Sequence, residues 1–291
     1  MEIITFSFNR PMQLKWFIDS LQNNSFEEDY DLTILWKASN ENYHKAYIDL
    51  FHSYNNRFGV KPYNLHYIEE ENFTLQLLKL IDSLSIASEY CLFSTDDMIF
   101  YKFINFKEIE NCLAEDKKCL SYSLRLHPSI SYCLPAKQKV TFSDEIIFDK
   151  YGMRFNWKKG TLCAGYPIDV GGSCLRSEDM LCLCSQLMLQ DKYIAFSHVN
   201  HFEAELSKIV RSVSQTSEKT YSRCAFLPYC NSLQINRVQQ IFENPISSDK
   251  IISPEILLEY YWQDRQIDLN YYRDNLVNSC HREDLMLLEK A

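Results

Sequence analysis

The sequence predicts an α/β fold with a parallel sheet in its first half, and three observations carry that prediction. Apolar strand-like runs alternate with stretches of helical periodicity over residues 3–94. The fourth such run, at residues 90–94, leads straight into two adjacent carboxylates, Asp96 and Asp97, as a buried strand with a charged tip would. The 291 residues are 46% hydrophobic and 24% charged, enough apolar material for a large core and too much for disorder.

In chain order, residues 3–8 read as a strand, and residues 12–22 as a helix with Leu14, Phe17, Ile18 and Leu21 on one face. Residues 32–37 are a second strand. Residues 42–58 form a helix through Tyr43, Tyr47, Leu50, Phe51 and Tyr54, and residues 65–68, 72–85 and 90–94 add strand, helix and strand. In a parallel sheet the ligand site lies beyond the carboxyl ends of the strands. Asn9-Arg10, Lys37-Ala38-Ser39-Asn40, Glu69-Glu70-Glu71 and Thr95-Asp96-Asp97 therefore share one rim. Beyond residue 100 the pattern loosens: a helix at 107–114, a strand at 119–126, a loop over 142–165, a short strand at Cys174, a helix at 178–189 and a strand at 193–196. Residues 254–262 and 267–276 read as polar, Tyr-rich helices on the outside. Without repeats, linkers or low-complexity tracts, the simplest organisation is one domain over 1–245 with a helical extension over 246–291.

Two adjacent carboxylates repel and are costly to desolvate, so a strand tip that carries them faces solvent or a cation. Mg²⁺ and Mn²⁺ take a few carboxylate oxygens and complete their shells with phosphate and water. The net charge of −9 argues against nucleic acid as the main partner. Aromatic residues at 14% suit sugar stacking, whereas 6 glycines and the absence of GxGxxG or Walker patterns argue against a glycine-rich phosphate loop. The 11 cysteines lack CxxC and zinc-type spacing; Cys91, Cys133, Cys174 and Cys182 sit in apolar runs and read as small buried hydrophobes of a reducing compartment. The sequence opens on a strand, with neither signal peptide nor membrane anchor visible, so a cytoplasmic protein is expected.

Ser94-Thr95-Asp96-Asp97, the opening Ile3-Ile4-Thr5-Phe6-Ser7-Phe8-Asn9-Arg10-Pro11, and Asp169-Val170-Gly171-Gly172 resemble, in order and spacing, three motifs of nucleotide-sugar-dependent glycosyltransferases of the GT-A fold. There a short acidic "DXD" motif ends the fourth strand of a Rossmann-like nucleotide-binding half, which is fused to an acceptor-binding half. The resemblance implies a transferase moving a sugar from a nucleotide sugar to a glycan, lipid-linked glycan or other hydroxyl acceptor. It implies Mn²⁺ or Mg²⁺ as cofactor, an inverting course, and peripheral rather than spanning contact with any membrane. A catalytically silent nucleotide-binding subunit of the same fold is the alternative. A nucleotidyltransferase is disfavoured by the missing glycine-rich loop.

Carried residue by residue, the resemblance makes Asp97 the metal ligand with Asp96 second. It gives Ser7, Asn9, Arg10, Lys37, Ser39, Asp96 and Arg237 to the donor. Relatives commonly place an Asp at the second-strand rim to read uracil. Here Lys37-Ala38-Ser39-Asn40 stands instead, leaving Ser39 or Asn40 to read another base. Arg10 precedes Pro11, which favours an extended backbone and lets a guanidinium reach the diphosphate. Asp169, Gly171 and Gly172 fall to the acceptor, the paired glycines allowing close backbone approach or positive φ. The general base is expected after the helix that follows the glycines. Glu203 is the first choice, Glu205 and Asp169 follow, and His201 is a further proton acceptor. Ser177 is expected to cap the helix at 178–189.

Overall fold

The computed structural model describes residues 1–26, 29–57, 65–213, 218–238, 246 and 251–289. The first half alternates as expected: β1 (Glu2–Phe8), α1 (Pro11–Asn23), β2 (Asp31–Lys37), α2 (Glu41–Arg57), β3 (Leu65–Glu69), α3 (Phe73–Ala87) and β4 (Tyr90–Thr95). Phe58, the expected end of the second helix, lies outside the described residues. Pro11 opens α1 at a position where its missing N–H costs nothing, and the Asn72 side chain caps α3 by accepting from the Leu75 N–H at 2.9 Å.

The chain continues through β5 (Met98–Phe100), α4 (Phe106–Glu115), β6 (Cys119–Ser123), the hairpin of β7 (Tyr132–Cys133) and β8 (Gln138–Lys139), β9 (Ile146–Asp149), β10 (Gly152–Asn156) and β11 (Ser173–Arg176). It ends with α5 (Ser177–Leu189), α6 (Val199–Val213), β12 (Tyr221–Cys224), β13 (Cys230–Leu233), α7 (Pro254–Trp262), α8 (Leu269–Asp274) and β14 (His281–Arg282). Among the described residues nine strands form one sheet in the order β3-β2-β1-β4-β11-β6-β12-β10-β9. β1 to β4 are mutually parallel, whereas β11 runs antiparallel between β4 and β6 and thereby joins the two halves. The expected α/β class, with a parallel sheet in the first half, is the observed one.

Both faces of the sheet are covered, so its strands alternate between two cores instead of between core and water. Ile3, Leu32, Ile34 and Leu92 face the core built with α1, α2 and α4. Ile4, Leu35, Cys91 and Phe93 face the core built with α3, α5 and α6. α7 packs on α1 through Leu257 and Tyr261, and the Tyr261 hydroxyl donates to Asp49 of α2 at 2.7 Å. The C-terminal segment is also woven inward, because β14 pairs with β13, which in turn pairs with β5.

Four local expectations need correction. Residues 142–165 hold β9, β10 and two 3-10 turns instead of a loop; β9 is an edge strand with Ile146, Ile147 and Phe148 all exposed, so it lacks alternation. Residues 193–197 are a 3-10 helix. Their exposed pair Tyr193-Ile194 followed by the buried pair Ala195-Phe196 is turn-like spacing that a short apolar run disguises as a strand. Ser177 is the first helical residue of α5, and the cap position falls on Arg176. Of the four cysteines, Cys91 and Cys174 are buried, Cys133 is half-buried and Cys182 lies exposed on the outer face of α5. Among the described residues no helix is long and apolar enough to cross a membrane.

Candidate active site

The carboxyl ends of β1, β2 and β4 open into a cavity of about 690 Å³ that extends under the Asp169–Gly171 turn to α6. At the strand-tip end Asp96 is buried, 2% exposed, and both its oxygens are engaged: Oδ2 accepts from Ser7 Oγ at 2.7 Å and Oδ1 from Arg10 Nη1 at 3.1 Å. With the Ser7 proton given to Asp96, the Tyr47 hydroxyl 2.6 Å away donates to Ser7, and it accepts from the Arg10 N–H at 2.9 Å. Arg10 also donates from Nη2 to the Asn236 carbonyl at 2.9 Å. Its backbone, at φ −129° and ψ 49°, stays out of the helical region that Pro11 disfavours but falls short of full extension. Burial pushes Asp96 up to about 6, against the pull of Arg10.

Asp97 differs from its neighbour. Its side chain is 17% exposed, accepts from Thr95 Oγ1 at 2.7 Å and stands 3.8 Å from Arg10 Nη1. A cation shared with a diphosphate fits the hard oxygens of Asp97, whereas Asp96 is already occupied in holding Ser7 and Arg10. Among the described residues no group of three or more His, Cys, Asp or Glu could hold an ion unaided, so the donor set fits only an ion whose remaining ligands come from substrate and water.

Across the cavity, α6 presents Glu203, whose Oε2 accepts from the Val170 N–H at 3.3 Å. Burial, reinforced by the charge of Asp169, pushes Glu203 up to about 7, while Arg125 and the Val170 N–H pull the other way. Asp169 is paired with Arg125 Nη2 at 3.0 Å and accepts from the Gly171 N–H at 2.9 Å. A Cβ on Gly171 would stand 3.1 Å from the Arg125 guanidinium, which would have to give way, and Gly172, at φ +120°, occupies a conformation that favours glycine. Arg125 also donates to Ser232 Oγ at 2.7 Å and faces His281 Nε2 at 3.2 Å. Burial, and then the Arg125 charge, hold His281 well below its usual value, so the ring is neutral and accepts at Nε2.

Of the residues expected at the site, Ser7, Arg10, Lys37, Asp96, Asp97, Asp169, Gly171, Glu203 and Arg237 line this one cavity. Asn9, Ser39, Gly172 and Glu205 do not. Asn9, at φ +55°, exchanges two 2.8 Å hydrogen bonds with Ser39, pinning the β1 loop to the β2 loop. Asn40 caps α2 by accepting from the Asn42 and Tyr43 N–H groups. Glu205 pairs with Lys208 and Lys192, and His201, itself outside the lining, bonds Ser197 of the lining. Arg125 and His281 were missed. Arg125 had a signal, a charge inside the apolar run Leu124-Arg125-Leu126, whereas His281 had none because its segment reads as exterior.

A parallel half whose fourth strand ends in an acidic pair, joined to a mixed half carrying the glycine turn, is consistent with what the sequence motifs lead one to expect. The resemblance to glycosyltransferases extends along the chain. Over 96% of its length it is 26% identical to the bifunctional glycosyltransferase pgtA of Dictyostelium discoideum, of which it spans 37%. No known protein-family profile matches. Among solved structures, S. aureus TarS overlaps 79% of this chain and 36% of its own at 10% identity and a TM-score of 0.43. The mannosyltransferase PcManGT of Pyrobaculum calidifontis, solved with GDP-Man and Mn²⁺, overlaps 78% of this chain and 54% of its own at 12% identity and a TM-score of 0.40.

Proposed function

We propose that this chain transfers a sugar from a nucleotide-sugar donor to a hydroxyl of a glycan, lipid-linked glycan or similar acceptor, with inversion and with the help of a divalent cation. The observation that carries the reading is that one cavity has a diphosphate-type end, Arg10 with Asp97, facing a carboxyl held near neutrality, Glu203. Mn²⁺ or Mg²⁺ held by Asp97 would draw charge from the departing diphosphate. Arg10, anchored by Asp96, adds a fixed guanidinium on the same side. The acceptor oxygen attacks the anomeric carbon, the bond from that carbon to the diphosphate oxygen breaks with its electron pair going to the diphosphate, and the acceptor proton passes to Glu203. A base with a value of about 7 is half ionised at neutral pH, which suits that task. Asp169 orients sugar hydroxyls, and Arg125 fixes Asp169.

The test is a pair of measurements on Glu203→Gln, which keeps size and hydrogen bonding but cannot take the proton. Turnover is expected to fall roughly 10²–10⁴-fold with little change in donor dissociation constant. Full activity would move the base to Asp169, since Glu205 lies outside the cavity. Metal-dependent donor binding by the wild-type chain, with neither transfer nor donor hydrolysis, would make it a binding subunit.

A further inference from the structure

The donor end of the cavity holds one charged pair that the transfer chemistry does not use. Lys37, the last residue of β2, and Glu70, the first residue after β3, both line the cavity, with Lys37 Nζ 2.7 Å from Glu70 Oε1. Their placement is fixed by the sheet. The parallel register sets Trp36 beside Glu69, and the Glu70 N–H donates to the Trp36 carbonyl at 2.7 Å, so the next residue of each strand stands side by side at the rim. Lys37 is 47% exposed and Glu70 only 20%, an arrangement in which both head groups remain reachable from the cavity. Phe73, at the start of α3, also lines the cavity, half-buried, its ring 5.8 Å from that of Phe6 and 6.3 Å from that of His198.

We propose that the donor is a guanosine diphosphate sugar whose base is read by the Lys37–Glu70 pair, an assignment that rests on the glycosyl-transfer reading of this cavity. The argument is the pattern of donors and acceptors. The Watson–Crick edge of guanine presents an acceptor, O6, and then two donors, N1–H and the N2 amine. An ammonium beside a carboxylate presents donors and then two acceptor oxygens, so the edges match without a vacancy. Uracil puts a carbonyl on each side of its single N–H and would set one of them against the carboxylate. Adenine and cytosine each place a ring-nitrogen acceptor beside their amine, with the same conflict. The site built to bond a group rejects the analogue that lacks it, because its own polar atoms are then left unpaired. Phe73 supplies a stacking face that every base accepts, so it contributes affinity and leaves the choice of base to the charged pair.

Calorimetric titration of the full chain with GDP, IDP, XDP, UDP, CDP and ADP, each with Mn²⁺, tests the assignment. GDP is expected to bind at least tenfold more tightly than UDP, CDP or ADP. IDP, which lacks only the N2 amine, should be about tenfold weaker than GDP or worse, the loss of one charge-assisted hydrogen bond. Glu70→Gln should reverse the preference between GDP and XDP, since a carboxamide accepts from N1–H and donates to the xanthine O2. UDP, CDP or ADP binding as tightly as GDP, IDP matching GDP on the wild-type chain, or an unaltered GDP preference in Glu70→Gln would each overturn the guanine assignment and leave the transfer reading standing. Failure of every diphosphate to bind would overturn both.

Discussion

The cavity contains two arginine–carboxylate pairs, Arg10–Asp96 at the tips of the parallel strands and Arg125–Asp169 beneath the glycine turn. Each guanidinium is nearly enclosed, with side chains 12% and 9% exposed, yet the two differ in what surrounds them. Arg10 stands beside a second carboxylate, Asp97, that is open to the cavity, so its pair leaves capacity for a ligand. Arg125 is bonded to Asp169, Ser232 and the neutral His281, and its pair holds together β6's exit, the glycine turn and β14. On the proposed reading, the same chemical unit works at the first position as part of the donor surface and at the second as a brace for the acceptor wall.

That division can be broken most directly at Asp97. Asp97→Asn keeps the shape and the Thr95 hydrogen bond but removes the charge that a divalent cation needs. Mn²⁺-dependent tightening of donor binding is expected to vanish with the unfolding midpoint nearly unchanged. Equal donor affinity with and without Mn²⁺ in the variant, against a clear difference in wild type, is the expected result; a variant that still responds to Mn²⁺ as wild type does would remove Asp97 from the metal.

The two arginines supply the next contrast. Arg125→Ala leaves the half-buried Asp169 without its cation and breaks the bonds to Ser232 and His281, and is expected to cost about 3 kcal/mol of stability, read from urea unfolding. Nucleoside diphosphate affinity should change little. Arg10→Ala is expected to weaken nucleoside diphosphate by about 1.5–3 kcal/mol, the loss of a charge-assisted bond to phosphate. If the Arg125 variant loses as much diphosphate affinity as the Arg10 variant, the separation of the cavity into a donor end and a braced acceptor wall fails.

The same contrast decides what the sequence made legible. In the donor half, register follows from local signals: four apolar runs, each ending in polar residues, place Arg10, Lys37, Glu70 and Asp96-Asp97 on one rim by topology alone. What could not be read was which of the two carboxylates turns inward. Asp96 and Asp97 look alike in the sequence and part only when Ser7 and Arg10 close around the first. In the acceptor half, β11 pairs with β4 and β6, which lie about eighty and fifty residues back in the chain, and β14 closes onto β13 from the far end. Such pairings leave no periodic trace, so Arg125 and His281 meet over 156 residues without a local cue. Gly171-Gly172 was conspicuous for its rarity, and its cause is the guanidinium lying over it together with the positive φ of Gly172.

The smallest expected effect is also the one that tests how the brace reaches the chemistry. Glu203 is lifted to about 7 first by burial and then by the negative charge of Asp169, while the Arg125 charge opposes both. A base must be ionised to work, so kcat/KM should rise with pH, inflect near 7 and level off above it. Replacing Asp169 by Asn removes a charge that raises Glu203 and leaves Arg125, which lowers it, without its partner charge; the inflection moves down by a fraction of a unit to about one unit. The linked stability effect has a fixed sign. Because the folded protein keeps the Glu203 proton up to about 7 while the unfolded chain releases it near the ordinary value of 4.5, this group's contribution to stability is fully present below 4.5 and is lost as pH rises to about 7. Asp169→Asn should shorten that window from its upper end. A pH–rate profile on the two proteins measures the first shift and unfolding midpoints between pH 5 and 8 measure the second. An inflection that stays in place would mean that Asp169 orients the acceptor without tuning the base, and an upward shift would mean that Glu203 is not the group being titrated.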